Sequence, residues 1–244
     1  MSRSSGPTAV GRGEGVEEAE RLLQKNAEWA ERRLRDDPDA FRKLAQGQHP
    51  PFLFIGCCDS RKPLDTITVT RPGELFIHRN IANLFTPGDV ASGAVLEYAV
   101  LSLEVRHIIV CGHTRCGGMG AALRGVDGGV LGKWLTPVRQ LAAQHADELD
   151  AIRSPSERED RLSAINVVAQ LENVLRHPCV TRRLAGEGPP LHLHGWVFHV
   201  ETGRLEALPL PERRWLKEGL IPPVAEGDAD GAANAAGVPN GAAS

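Results

Sequence analysis

The run Phe52-Leu-Phe-Ile-Gly-Cys-Cys-Asp-Ser-Arg61 decides the fold. Phe52 to Ile55 is apolar without alternation and stops at Gly56, as a strand covered on both faces of a parallel sheet should. The same grammar returns in His107-Ile-Ile-Val-Cys-Gly-His-Thr-Arg-Cys116, where His107 to Val110 makes a second buried strand. Leu75-Phe-Ile77 is a third strand and His192 to Val200 a fourth. Thr202-Gly203 then turns the chain towards a short partner strand at Leu205 to Leu208. Helical periodicity runs through Val90 to Leu103 and through Arg158 to Leu175, which Pro178 stops. Upstream, Leu22, Leu23, Ala27, Trp29, Ala30 and Leu34 recur at helical spacing and predict an amphipathic helix over Val16 to Arg35. A second short helix starts at Asp37-Pro38, with Asp37 as cap and Pro38 in its first position, and runs through Phe41 and Leu44. Alternating strands and helices predict an α/β fold: a single domain over 15–222, its central, mostly parallel β-sheet flanked by helices, with an N-terminal helical arm at 15–48. Residues 1–14 and 223–244 hold too little apolar surface to order themselves and are expected to be disordered tails.

Composition removes several functions. The chain has 244 residues and 41% hydrophobic content, enough for a buried core. A net charge of -3 and a pI near 6.3 supply no basic field for a phosphate backbone, so no nucleic-acid partner is expected. No segment approaches the roughly 20 apolar residues that span a bilayer, and the first residues lack the apolar stretch of a secretory signal. A cytoplasmic protein without a membrane partner is expected. The five cysteines are odd in number, and Cys57, Cys58 and Cys111 lie in strand-like runs. A disulfide framework does not fit that pattern; metal ligands or catalytic thiols do.

In parallel α/β sheets, functional side chains gather past the carboxyl ends of strands, and Cys57 and His113 both fall there. Zinc favours thiolate and imidazole in tetrahedral geometry, and catalytic sites commonly offer three protein ligands so that water takes the fourth place. His113-Thr-Arg-Cys116 can converge on one ion, with a third ligand from the neighbouring strand. Adjacent strand residues point to opposite faces, so only one of Cys57 and Cys58 can face that ion. Spacing does not choose between them.

Three ordered motifs do. Gly56-Cys-Cys-Asp-Ser-Arg61 resembles the Cys-x-Asp-Ser-Arg signature of the β-carbonic anhydrases. Gly112-His-Thr-Arg-Cys-Gly-Gly118 resembles their second zinc signature, and Pro72-Gly-Glu-Leu-Phe-Ile-His-Arg-Asn-Ile-Ala-Asn83 is similar to the segment between. The likeness extends from about Leu22 to Leu208.

That resemblance implies one Zn²⁺ per subunit held by Cys57, His113 and Cys116, with Cys58 at the variable position. It implies reversible hydration of carbon dioxide to bicarbonate and a proton by zinc-bound hydroxide, with Asp59 and Arg61 as a catalytic dyad. Two thiolates cancel the charge of Zn²⁺, so the ion needs such help: Asp59 can orient the nucleophile while Arg61 keeps Asp59 ionised. Backbone N–H groups of Gly117 and Gly118 are expected to bind the anion. The family arm packs across a neighbouring subunit, which implies a homodimer or a higher even-numbered homo-oligomer. Some members carry an inhibitory bicarbonate site built on a Trp and a Tyr; Phe54 and Phe198 stand at those positions here, and no such site is expected. Competing functions are a hydrolase of carbonyl sulfide or carbon disulfide on the same scaffold, and a non-catalytic zinc or thiol sensor. His78, His107, His192, His194 and His199 are expected to be packed or hydrogen-bonded strand residues rather than a second metal site.

Overall fold

The computed structural model describes residues 14–126 and 128–223. Apart from Glu14 and Pro223, the expected tails lie outside the described residues.

The first of two units, up to Gln48, carries helices α1 (Glu14–Asp36) and α2 (Ala40–Leu44). Trp29 and Phe41 meet edge-on with ring centroids 5.5 Å apart. Leu22 and Leu23 are 68% and 66% exposed. Asp37 and Pro38 precede α2 rather than open it. The Asp37 carboxylate accepts the Asp39 amide at 3.0 Å, closing a local turn that delays the helix to Ala40.

The second unit begins at His49 and is built on a five-stranded sheet. Its strands are β1 (Phe52–Cys57), β2 (Leu75–Asn80), β3 (His107–His113), β4 (His192–His199) and β5 (Arg204–Ala207). Their order is β2-β1-β3-β4-β5, parallel throughout except for β5. β1, β2 and β3 run two to three residues past the apolar stretches that announce them. Backbone ladders do not require apolar side chains: Cys57 pairs with Asn80, and His113 with Phe198. Cys57 and His113 are therefore the last residues of β1 and β3, inside the ladder and not beyond it.

The helices of this unit are α3 (Leu64–Thr68), α4 (Val90–Glu97), α5 (Gly117–Leu123), α6 (Gly129–Trp134), α7 (Thr136–Gln144), α8 (Ala146–Asp150), α9 (Pro155–Leu175), α10 (Pro178–Leu184) and α11 (Glu212–Lys217). α4 widens into a π-turn over Tyr98–Ser102. α9 starts three residues earlier than its periodicity suggests, because Ser154 caps it by accepting the Glu157 amide and Pro155 occupies its first turn. Pro178 both follows α9 and opens α10, where its missing N–H costs nothing.

Alternation along the strands splits the core. Leu53, Ile55, Ile108 and Val110 pack under Val167, Leu171 and Val174 of α9, whereas Phe54, Ile109, Cys111 and Phe198 form a cluster on the other face. Gly112 sets how closely α9 approaches. A Cβ there would lie 2.7 Å from Ser163 Oγ, 2.9 Å from Val167 Cγ2 and 3.3 Å from the Ser163 carbonyl oxygen. Gly112→Ala must push α9 off β3, and a loss of about 1–3 kcal/mol of stability is expected from overpacking. Urea denaturation measures it; an unchanged midpoint would show that α9 yields freely.

Candidate metal centre

Cys57 ends β1, His113 ends β3, and Cys116 precedes α5. Adjacent parallel strands bring the first two together, and the short loop from His113 returns the third. The two sulfurs and an imidazole nitrogen lie within 4.8 Å of one another, and all three residues are buried. Among the described residues this is the only such group of three. Cys58 is exposed, so the alternative of the neighbouring cysteine closes in favour of Cys57.

The donors fit a cation. His113 Nδ1 lies 2.8 Å from the Thr114 carbonyl, which can only accept, so Nδ1 carries the proton. Nε2 then presents a lone pair, is fully buried and has no hydrogen-bond partner. Such an orphan beside two sulfurs is costly without an ion. The bond from Cys116 pulls the Cys57 thiol below its ordinary range, while the same bond and burial push Cys116 up. Amides of Ala82 and Asp59 point at the Cys57 sulfur, and those of Gly118 and Met119 at the Cys116 sulfur. Around a bound metal these N–H groups would draw charge from the thiolates and offset their weakening of it as a Lewis acid.

Asp59 and Arg61 form a bidentate pair. Arg61 Nε donates to Asp59 Oδ1 at 2.9 Å and Nη2 to Oδ2 at 2.7 Å, and the Arg61 amide adds a third bond to Oδ1 at 3.0 Å. That pairing holds the Asp59 carboxyl at about 2, below its ordinary value, despite some opposing burial. Oδ2 stands 3.8 Å from His113 Nε2, beside the donor cluster without joining it. Arg79 straddles this loop from β2, donating to the Cys57 carbonyl at 2.9 Å and the Asp59 carbonyl at 2.7 Å.

Sequence comparison agrees with this geometry. The carbonic anhydrase family profile matches residues 52–205, and a carbonic anhydrase from Emericella nidulans is 42% identical over 189 residues, covering 78% of this chain and 82% of that protein. The chain belongs to the β-carbonic anhydrase family. One of two tetrameric β-carbonic anhydrases of Sordaria macrospora superposes with a TM-score of 0.76 at 42% identity, covering 79% of this chain and 97% of that one. The β-carbonic anhydrase CafA of Aspergillus fumigatus gives 0.77 at 41% identity, covering 82% and 98%. The family is a class of zinc lyases, and its reaction is the reversible hydration of carbon dioxide to bicarbonate and a proton.

Several further residues support this β-carbonic anhydrase site, of which Asn166 and Lys62 lie outside the three motifs and Ala82 lies within the one ending at Asn83. Ala82 adopts a left-handed conformation, φ 66°, and its amide reaches Cys57. Asn166 of α9 fixes that turn by donating to the Ala82 carbonyl at 2.9 Å. Lys62 is fully buried: its Nζ donates to the Cys111 carbonyl at 3.0 Å and lies 5.3 Å from the centre of the Phe54 ring. Lys62 thus lies beside Phe54, a neighbour that no periodicity announces because Lys62 follows a polar loop. The remaining histidines engage one another and their neighbours. His107 Nδ1 and His194 Nε2 are 3.1 Å apart, His107 stacks on Phe52 and His192, and His199 pairs with Glu206 at 2.7 Å.

Proposed function

We propose that Cys57, His113 and Cys116 are the zinc ligands and that Asp59 and Arg61 carry the dyad chemistry of carbon dioxide hydration. The observation that carries this reading is the orphaned Nε2 of His113 between two buried sulfurs, with an ionised carboxylate 3.8 Å away. Zinc, when bound, supplies the Lewis acid that makes water nucleophilic near neutral pH. Asp59 Oδ2 accepts a hydrogen bond from the attacking water and aims its lone pair at the carbon of carbon dioxide. Arg61 occupies both oxygens of Asp59, which keeps the carboxylate charged and opposes its movement into a ligand position, so that a bound ion would keep its fourth place for solvent. Gly117 is an exposed residue, and its amide is the one assigned to the developing anion, while the Gly118 amide serves mainly the Cys116 sulfur. The proton released must pass to buffer.

The domain spans 15–222 with its arm at 15–48. The exposed Leu22 and Leu23 of α1 support packing of that arm on a second copy, and the tetrameric Sordaria relative supports an even-numbered assembly of at least a dimer. Five free cysteines support a reducing, cytoplasmic setting; among the described residues no helix is long and apolar enough to cross a membrane. Identity near 40% to carbonic anhydrases favours carbon dioxide over carbonyl sulfide or carbon disulfide as substrate.

The test is stopped-flow hydration on metal-loaded and chelator-stripped protein. Loaded protein is expected to turn over carbon dioxide rapidly, stripped protein to be inert, and zinc to restore the rate. A loaded protein with one zinc per chain and no hydration from neutral to alkaline pH would favour a sensor instead.

A further inference from the structure

We propose that Glu201, just past the end of β4, is a positioning residue that sets the two successive carbonyls aiming His113 and Arg61. The proposal rests on the reading of Asp59 and Arg61 as the working dyad. Its starting point is Arg115, which has φ 56°, a left-handed conformation that a side-chain-bearing residue holds only under constraint.

The constraints are visible. The Arg115 amide donates to Asp160 Oδ1 on α9 at 2.6 Å, and Arg115 Nε donates to Glu201 Oε1 at 2.6 Å. The second oxygen of Glu201 takes the Thr114 hydroxyl at 2.7 Å, and that hydroxyl accepts the Val200 amide at 2.9 Å. The Thr114 amide continues the β4 ladder by donating to the Phe198 carbonyl at 2.9 Å. One carboxylate thus grips the two side chains of the loop between His113 and Cys116, and β4 and α9 hold it from either side.

The loop delivers its carbonyls to the reaction centre. The Thr114 carbonyl accepts His113 Nδ1–H at 2.8 Å and fixes the ring's tautomer and direction. The Arg115 carbonyl accepts Arg61 Nη2 at 3.0 Å, the same nitrogen that binds Asp59 Oδ2. The left-handed turn is what points the Arg115 carbonyl at Arg61, and Glu201 with Asp160 is what holds the turn. Glu201 and Arg115 side chains are 45% and 43% exposed, so their ion pair contributes little to folding. A loss on removing it therefore reports positioning and not collapse.

The experiment is a double-mutant cycle on the zinc-loaded full chain. Glu201→Gln keeps the shape but presents a donor where the loop needs an acceptor. It is expected to lower kcat about tenfold with KM nearly constant and zinc content unaltered, the range seen when partners of metal ligands are removed. In an Arg61→Ala background the same change is expected to cost clearly less than in the parent, because one of the two groups it acts through is gone and only the His113 arm remains. The ¹⁵N signal of Arg61 Nε–H, sharp while both partners clamp the guanidinium, is expected to broaden in Glu201→Gln. Thr114→Val, which deletes one arm and keeps the charges, should repeat the pattern and serves if Glu201→Gln does not fold. Equal losses in both backgrounds, or a Glu201→Gln enzyme within twofold of the parent with a sharp Arg61 signal, would overturn the proposal while leaving the dyad intact. Full activity in Arg61→Ala alone would instead remove the dyad reading.

Discussion

Cys116→Ala is expected to leave the protein without zinc and without hydration activity. The centre offers three donors, and Cys116 is the one that α5 presents with two amides at its sulfur. Deleting it leaves Cys57 and His113, too few to hold an ion against free chelators. The expected fall in kcat/KM is at least about a thousandfold, roughly 4 kcal/mol of transition-state stabilisation. Cys58→Ser is the control: it removes a thiol one residue from Cys57 but on the exposed side, and should keep a full equivalent of metal. Elemental analysis and stopped-flow hydration read both. A Cys116→Ala protein that still holds one zinc per chain would disprove the ligand set.

Asp59→Ala is expected to separate metal binding from turnover. Asp59 lies outside the donor group, so zinc content should stay at one per chain. Hydration should fall about a hundredfold or more, the scale of a lost acid–base or orienting partner. The pair with Arg61 keeps Asp59 charged down to about 2, so the loss should be the same at every pH across the neutral range. The sign for stability follows from the same depression. The Asp59–Arg61 pair supports the fold above the ordinary carboxylate range and loses that support as pH falls towards about 2. Turnover equal to the parent in Asp59→Ala would discard its role in orienting the nucleophile.

Much of this was legible in the linear chain because buried parallel strands write themselves as unbroken apolar runs. Phe52 to Ile55 and His107 to Val110 each named a strand and, two or three residues on, a member of the Cys57, His113 and Cys116 group that could hold a metal. Strand ends and helix starts were less legible. Polar residues such as Arg79, Asn80 and His113 continue the ladder by backbone pairing alone, and Ser154 and Pro178 act as helix starts through local geometry. α5 opens on two glycines, and burial of Met119 and Ala122 overrides their poor helix propensity.

By itself the order of residues determined an α/β sheet and the family, since each is carried by residue type in short runs; the candidate donors and the dyad came from the likeness of those runs to the family's motifs. Tertiary structure alone decided which groups surround them. Ala82 aims its amide at Cys57 across 25 positions of chain, Lys62 is buried under Phe54, and Glu201 reaches Arg115 from 86 positions away. Contacts at such separation exist only once neighbouring strands and α9 close on one another. No local pattern records them, because the partner that makes each residue matter lies on a different element.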